Sequence, residues 1–195
     1  DASHPEACVA QITSNMLRKL DKDEGFPVSL ACPFIPRSRD VYDGFENISG
    51  GQVKFQGIPD ETLKHDYLRA IRALRFSANY HLPIEENSWM SIIRSSRRVL
   101  DYVSVTDIMD EWRKVEAENM WRFAELLFDS MILHGLVPEL AALSRIFQVF
   151  EEEAGPVSIW EHTLKVMQRY PEELPYDWYG TLGCLFLNCG KLYAG

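Results

Sequence analysis

The sequence predicts a mainly α protein, a multi-helix array entered through a small strand-containing segment. Three observations predict it. From Asp60 onward every strong hydrophobic pattern repeats at helical spacing. Along that stretch, helix-start and helix-stop residues recur at short intervals. Strand-like pieces are confined to the first 57 residues and are short and bounded by Pro or Gly.

Taken in order, a polar opening carries a short helix expected over Ala7–Leu20, ending in Asp21-Lys22-Asp23-Glu24-Gly25. Phe26–Phe34, Val41–Phe45 and Val53–Gln56 are expected to be extended, the last two separated by the Ser49-Gly50-Gly51 turn. Asp60 is then the expected N-cap of a long helix whose apolar stripe is Leu63, Tyr67, Ala70, Ile71, Leu74 and Ala78. Glu85–Leu100 places Trp89, Ile92, Ile93, Ser96, Val99 and Leu100 on one side. Ser104-Val105-Thr106-Asp107 resembles a capping box and opens the next helix. A helix over Met120–Leu133 is expected to stop at Gly135. Pro138 suits the first turn of a helix running to about Phe150. Ser158-Ile159-Trp160-Glu161 is another capping box. The last helix, about Pro175–Cys189, is apolar on most sides and is expected to be buried.

Bulk properties narrow the function classes. A chain of 195 residues with 46% hydrophobic and 12% aromatic content supports one or two folded domains. Its net charge of −9 disfavours non-specific nucleic-acid binding, so any RNA contact must use local basic surface. Cys8, Cys32, Cys184 and Cys189 form no CxxC pair and read as reduced thiols of an intracellular protein, in cytoplasm or mitochondrion alike. No apolar run approaches the roughly 18 residues of a membrane span, so no membrane partner is expected. DASHPEACVAQ is neither a signal peptide nor an Arg-rich transit peptide. No G-x-S-x-G elbow or Cys–His pairing marks a nucleophile. Trp89, Trp112, Trp121, Trp160 and Trp178 occupy apolar helix positions, as core residues do.

Two groups of charges stand out. Asp66, Arg69, Arg72 and Arg75 follow one another at i, i+3 steps. A solvated face with ion pairs is one reading, with Asp66 pairing Arg69 one turn on. In the other, a carboxylate and a guanidinium side by side hydrogen-bond the pairing edge of a nucleobase. Arg94, Arg97 and Arg98, at i, i+3, i+4 and joined by Lys64 and Arg72, form either a patch for RNA phosphates or a solvated face.

Gly57, Asp66-Tyr67-Leu68-Arg69, Ile71-Arg72 and Arg75-Phe76 resemble the G…EDxLRxxRxxRF segment of class II tRNA nucleotidyltransferases and bacterial poly(A) polymerases. In that family the Asp and Arg of Glu-Asp-x-x-Arg act as a protein template for incoming ATP or CTP. Asp66 and Arg69 match them, and His65 replaces the Glu. Shorter similarities follow in family order: Val41–Phe45 with Gln52–Gly57, Leu82-Pro83-Ile84-Glu85, Val103-Ser104 with Ile108–Glu111, and Ile132–Leu140. Further on, Trp160-Glu161-His162-Thr163-Leu164 and Leu185–Lys191 resemble the HD phosphohydrolase pattern W-x-H-T-L…L-L-H-D-x-G-K, with Leu187-Asn188 in place of His-Asp. Leu cannot ligate a metal and neutral Asn is a poor substitute.

The resemblance implies a degenerate head remnant over 1–57, a helical neck and body that bind RNA and nucleotide over 58–150, and a partial HD-like segment over 151–195. It implies Asp66 and Arg69 as base-recognition residues, and Arg72, Arg75, Arg94, Arg97 and Arg98 as RNA or phosphate contacts. The family's metal-holding carboxylates lie N-terminal to everything that matches. No catalytic residue, metal or cofactor is therefore expected in this chain, with Mg and ATP or CTP only if a catalytic head is present elsewhere. The reading is a divergent, non-catalytic RNA-associated subunit of a larger ribonucleoprotein assembly, with tRNA-like or ribosomal RNA and protein partners but no DNA. The alternative is the C-terminal part of an active enzyme adding CCA or A residues to RNA 3′ ends. A helical interaction domain with no RNA role is the third reading.

Overall fold

The structure is a computed structural model describing residues 51–55, 57–150, 155–173 and 177–193. The elements expected over Ala7–Leu20, Phe26–Phe34 and Val41–Phe45 lie outside the described residues, as do Cys8 and Cys32. The fold is mainly α with a small strand content, as the sequence predicts. Two compact units meet in the chain between Ser95 and Ser96.

In the first unit, α1 (Pro59–His65) and α2 (Leu68–Tyr80) are separate helices, not the single long one expected. Asp66 is the cause. Its φ of −160° and ψ of 104° are extended, and its N–H closes α1 on the Leu63 carbonyl. Its side chain accepts the Leu68 N–H at 3.0 Å. An Asp offers the backbone such a local alternative to helical bonding, which favours helix boundaries over interiors. Asp60 is likewise not the N-cap: Ile58 holds that place, with Pro59 in the first turn. The expected stripe is nonetheless core, since Leu63, Ala70, Ile71, Leu74 and Ala78 are all fully buried. Only Tyr67, at the break, is half-buried.

Glu85 starts α3 (Glu86–Tyr102), its carboxylate accepting the Asn87 and Ser88 N–H groups at 3.0 and 2.8 Å. Burial alone would raise the Glu85 carboxyl, but these bonds outweigh it and hold it below its ordinary range. The 51–55 segment lies beside the entry to α3. Val53 forms an isolated parallel bridge with Ile84, and the Phe55 N–H donates to Ser88 Oγ at 3.0 Å.

In the second unit, Ser104 caps α4 (Val105–Arg113) by accepting the Asp107 N–H at 3.1 Å, as its capping pattern predicts. After a 3-10 turn (Ala117–Asn119) comes α5 (Met120–Asp129), which ends at Ser130 and at Met131, whose φ is 69°. Gly135 is therefore not the stop of this helix but lies inside α6 (Ile132–Leu136). A Cβ there would stand 2.2 Å from Leu100 Cδ1, so any larger residue would make the Leu100 side chain shift. Pro138 opens α7 (Pro138–Ala142) as expected, but the helix does not reach Phe150. A 3-10 turn (Leu143–Arg145) leads into β1 (Phe147–Val149), antiparallel to β2 (Pro156–Ser158), with Phe147 opposite Ser158. The aromatic and β-branched residues of Phe147–Val149 favour the pleated strand.

Ser158 Oγ accepts the Glu161 N–H at 3.2 Å and so caps α8 (Ile159–Glu173). Asp177 caps α9 (Trp178–Phe186) through the Tyr179 and Gly180 N–H groups. The expectation of a buried last helix fails: Thr181 and Leu185 are buried, but Tyr179 is 77% exposed and Leu187 just beyond is 70% exposed. A 3-10 turn (Cys189–Leu192) follows. The core of this unit is built around Trp112, whose ring meets Phe123 edge-on at 5.6 Å. None of the five tryptophans is exposed.

Candidate functional site

Of the residues singled out by sequence, Asp66, Arg69 and Arg72 lie at the corner between α1 and α2. Asp66 and Arg69 are close in sequence, but among the described residues they form no ion pair with each other. Arg72 Nη1 lies 3.8 Å from Asp66 Oδ2, while Asp66 Oδ1 holds the Leu68 N–H. Arg69 instead donates from Nη1 to the Thr62 carbonyl at 3.3 Å. The difference follows from the break: with Asp66 outside the helix, i, i+3 spacing no longer sets its neighbour. Arg69 Nε is buried with no hydrogen-bond partner among the described residues. An unmade buried donor costs about 1–3 kcal/mol, so the corner retains an unused directional N–H.

The other cations expected to contact phosphate have different surroundings. Arg75 is only 4% exposed, with its guanidinium carbon 4.3 Å from the Phe76 ring centroid. Arg94 grips Asp60, with Nη2 at 3.1 Å from both carboxylate oxygens, and Ser91 Oγ donates to the same carboxylate at 2.5 Å. These bonds, Ser91 first and Arg94 next, hold the Asp60 carboxyl below its ordinary range. Lys64 pairs with Glu61 at 2.6 Å. Arg97 is 92% exposed with Asp101 at 3.8 Å, and Arg98 is exposed. Sequence reading missed Thr62 and Ser91. Each acts across a helix boundary or between helices, where no periodicity within one helix points to the partner.

At the HD-like place the residues are engaged structurally. Asn188 donates Nδ2 to Thr163 Oγ1 at 3.0 Å, and that hydroxyl donates to the Ile159 carbonyl at 2.7 Å. The His162 ring stacks on Phe150 with centroids 3.6 Å apart and planes 5° apart. Among the described residues no group of three or more His, Cys, Asp or Glu side chains stands close enough to hold a metal ion. Cys184 and Cys189 are free and half-buried, and burial raises both thiols. No described helix is long and apolar enough to cross a membrane.

No protein-family model matches the chain. It is similar to the CCA-adding enzyme of Lactobacillus helveticus, 25% identical over 138 residues, which is 69% of this chain and 34% of that protein. Against the CCA-adding enzyme of Lactococcus lactis subsp. cremoris it is 31% identical over 107 residues, 54% of this chain and 26% of the relative. For that of Bacillus velezensis the figures are 29% over 118 residues, 60% and 28%. The chain thus spans about a third or less of the length of these curated relatives. These similarities support a distant relationship to the tRNA nucleotidyltransferases.

Proposed function

We propose that this chain is a divergent, non-catalytic member of the tRNA nucleotidyltransferase and poly(A) polymerase family, acting as an RNA-associated binding or scaffold module of a larger ribonucleoprotein assembly. The observation that carries the reading is the buried Arg69 Nε at the α1–α2 corner, which has no hydrogen-bond partner among the described residues. A base edge offers the acceptor that this donor lacks, and reaches it when the residues covering the guanidinium part. The non-catalytic part is supported by the use of the Asp66 carboxylate as a helix-start acceptor and Arg72 partner, and by Asn188 bonding to Thr163. No metal or nucleotide cofactor is assigned. Arg75 is buried and Arg94 is held by Asp60, so phosphate contact is assigned to the exposed Arg97 and Arg98. The test is retention of a tRNA lacking its terminal CCA by the purified protein and by its native complex. Retention without nucleotide incorporation, weakened about tenfold by Arg69→Ala, is expected. No retention in either form would reject the RNA role.

A second reading makes the chain part of an active CCA- or A-adding enzyme, favoured by the activity that the relatives' names state. Its test is CTP and ATP incorporation by the longest native form of the protein. Arg69→Ala should then lower incorporation and blur the choice between the two nucleotides. Unchanged rate and selectivity would dismiss this reading.

A further inference from the structure

A second set of charges, which the proposed function does not use, surrounds a cavity of about 280 Å³ in the second unit. One wall is α8, which presents His162, Lys165, Val166 and Arg169 at i, i+3, i+4 and i+7, a single helical face. The other is the β1–β2 hairpin, through Phe150, Gly155 and Val157. Phe150 holds the His162 ring by stacking, and Lys191 Nζ stands 5.2 Å from the Phe150 centroid while donating to Gln148 Oε1 at 2.6 Å. Lys165 and Arg169 have no carboxylate or hydrogen-bond partner among the described residues. This is unlike Lys64, Arg94, Arg113, Lys114 and Arg122, each of which has a carboxylate partner.

We propose that this cavity is a phosphate-binding site, in which Lys165 and Arg169 hold the phosphoryl oxygens and His162, fixed by Phe150, contributes a ring nitrogen. Its volume lies near the lower end of small-ligand pockets, about 300–1,000 Å³. Arg matches phosphate geometry in a bidentate fork, and Lys adds a mobile point charge. The environment of His162 fits an anion. Burial first, then Lys191, Lys165 and Arg169, hold its pKa below the ordinary 6.5. A bound dianion would oppose those charges and draw a proton onto the ring. Glu161, four residues before Lys165, and Glu172 and Glu173, three and four after Arg169, are the acids of α8 nearest these cations in sequence, and Glu151, Glu152 and Glu153 lie between Phe150 and Gly155. The proposal stands apart from the Asp66–Arg69 reading and survives if that one fails.

The experiment follows the His162 imidazole resonances of the full chain by NMR during titration with inorganic pyrophosphate, AMP, and a short RNA with and without a 5′-phosphate. A saturable shift with pyrophosphate is expected, with the His162 pKa moving up. Lys165→Gln/Arg169→Gln should weaken binding by about tenfold or more while the thermal midpoint is unchanged. Saturation by AMP but not by RNA assigns the site to free phosphorylated small molecules. Saturation by RNA, lost in the same double variant, assigns it to nucleic-acid phosphate. In Glu151→Gln/Glu152→Gln/Glu153→Gln the affinity should hold or tighten; its loss would mean that the ligand is bound through a cation on the carboxylates and would overturn the proposal. So would the absence of any saturable shift at millimolar pyrophosphate, or an identical shift in the Lys165→Gln/Arg169→Gln variant.

Discussion

The α1–α2 corner and the α8–hairpin cavity carry similar residues in opposite states. At the corner, Asp66 is shared between the Leu68 N–H and Arg72, Arg69 bonds the Thr62 carbonyl, and the buried Arg69 Nε is left without a partner among the described residues. Around the cavity, Lys165 and Arg169 have no partner among the described residues, and the imidazole between them and Phe150 is held away from its charged form. The corner is where the family-like motif lies; the cavity wall is where no motif pointed to Lys165 or Arg169. A motif records which side chains are present, whereas binding capacity depends on which of their hydrogen bonds and charges remain unspent after folding. By that measure the corner is mostly structural with a single open donor, and the cavity is open.

The largest expected effect tests whether the cavity region hides a degenerate metal site. Asn188→Asp restores the acid of the HD-like pattern but removes the amide proton that Thr163 Oγ1 accepts. That hydroxyl already spends its own proton on the Ile159 carbonyl, so a carboxylate at this 9%-exposed position would face only lone pairs. Urea unfolding should show a loss of about 2–4 kcal/mol. Millimolar Mn²⁺ should not restore it. If the metal does recover the stability, His162 and residue 188 form a cation site and the contrast between the two regions collapses.

Next in size is the corner itself. Asp66→Ala removes the acceptor at the start of α2 and should cost about 1 kcal/mol, within the 0.5–2 range of lost caps. The double change Lys165→Gln/Arg169→Gln removes no partner and should stay within about 0.5 kcal/mol of the parent. Arg69→Met sharpens the comparison further. It loses the Thr62 bond but also relieves the orphaned Nε, so the two terms offset to within about 1 kcal/mol. A loss of several kcal/mol in chemical denaturation would instead make Arg69 a structural anchor and remove the support for base recognition there.

Much of the helical array was legible because helices announce themselves locally. The stripe from Leu63 to Ala78, the Ser104 and Ser158 caps and the Pro138 start are all decided within a few residues. The misplaced boundaries share one cause, a competing local preference that periodicity ignores. Asp66 prefers to cap, Met131 takes a left-handed turn ahead of Gly135, and the residues of Phe147–Val149 prefer a strand. The site was half legible. Asp66 and Arg69 could be named, but Thr62, which holds Arg69, is seven residues back across the break, and Ser91 reaches Asp60 from 31 residues away. His162, Lys165 and Arg169 do carry a local signal in their i, i+3, i+7 spacing. It passes unnoticed because the residues facing it, Phe150, Gly155 and Val157, flank or belong to the paired strands β1 and β2, where the sequence reads as a helix running to about Phe150.

The smallest effect separates the two regions by pH. Asp60 in the first unit has its folded pKa lowered from 3.8, so its contribution is present above that value and is lost only as pH falls through the lower folded pKa. His162 in the second unit has its folded pKa lowered from 6.5, so the unfolded chain takes up the proton first. Its contribution is therefore full above pH 6.5 and declines as pH falls from there through the folded value. Between about pH 6.5 and pH 5 the stability should drift down because of His162 and not because of Asp60. His162→Gln should flatten the drift in unfolding curves collected across that window. Sulfate, a tetrahedral dianion whose charge is constant over the same range, sharpens the assignment. By raising the His162 pKa on binding it should weaken this drift, and reverse its sign once the bound pKa exceeds the unfolded 6.5, in the parent but not in His162→Gln. A drift that persists in His162→Gln, or one that sulfate shifts equally in both proteins, would mean that the cavity cations do not control this imidazole. The corner and the cavity would then be equally closed.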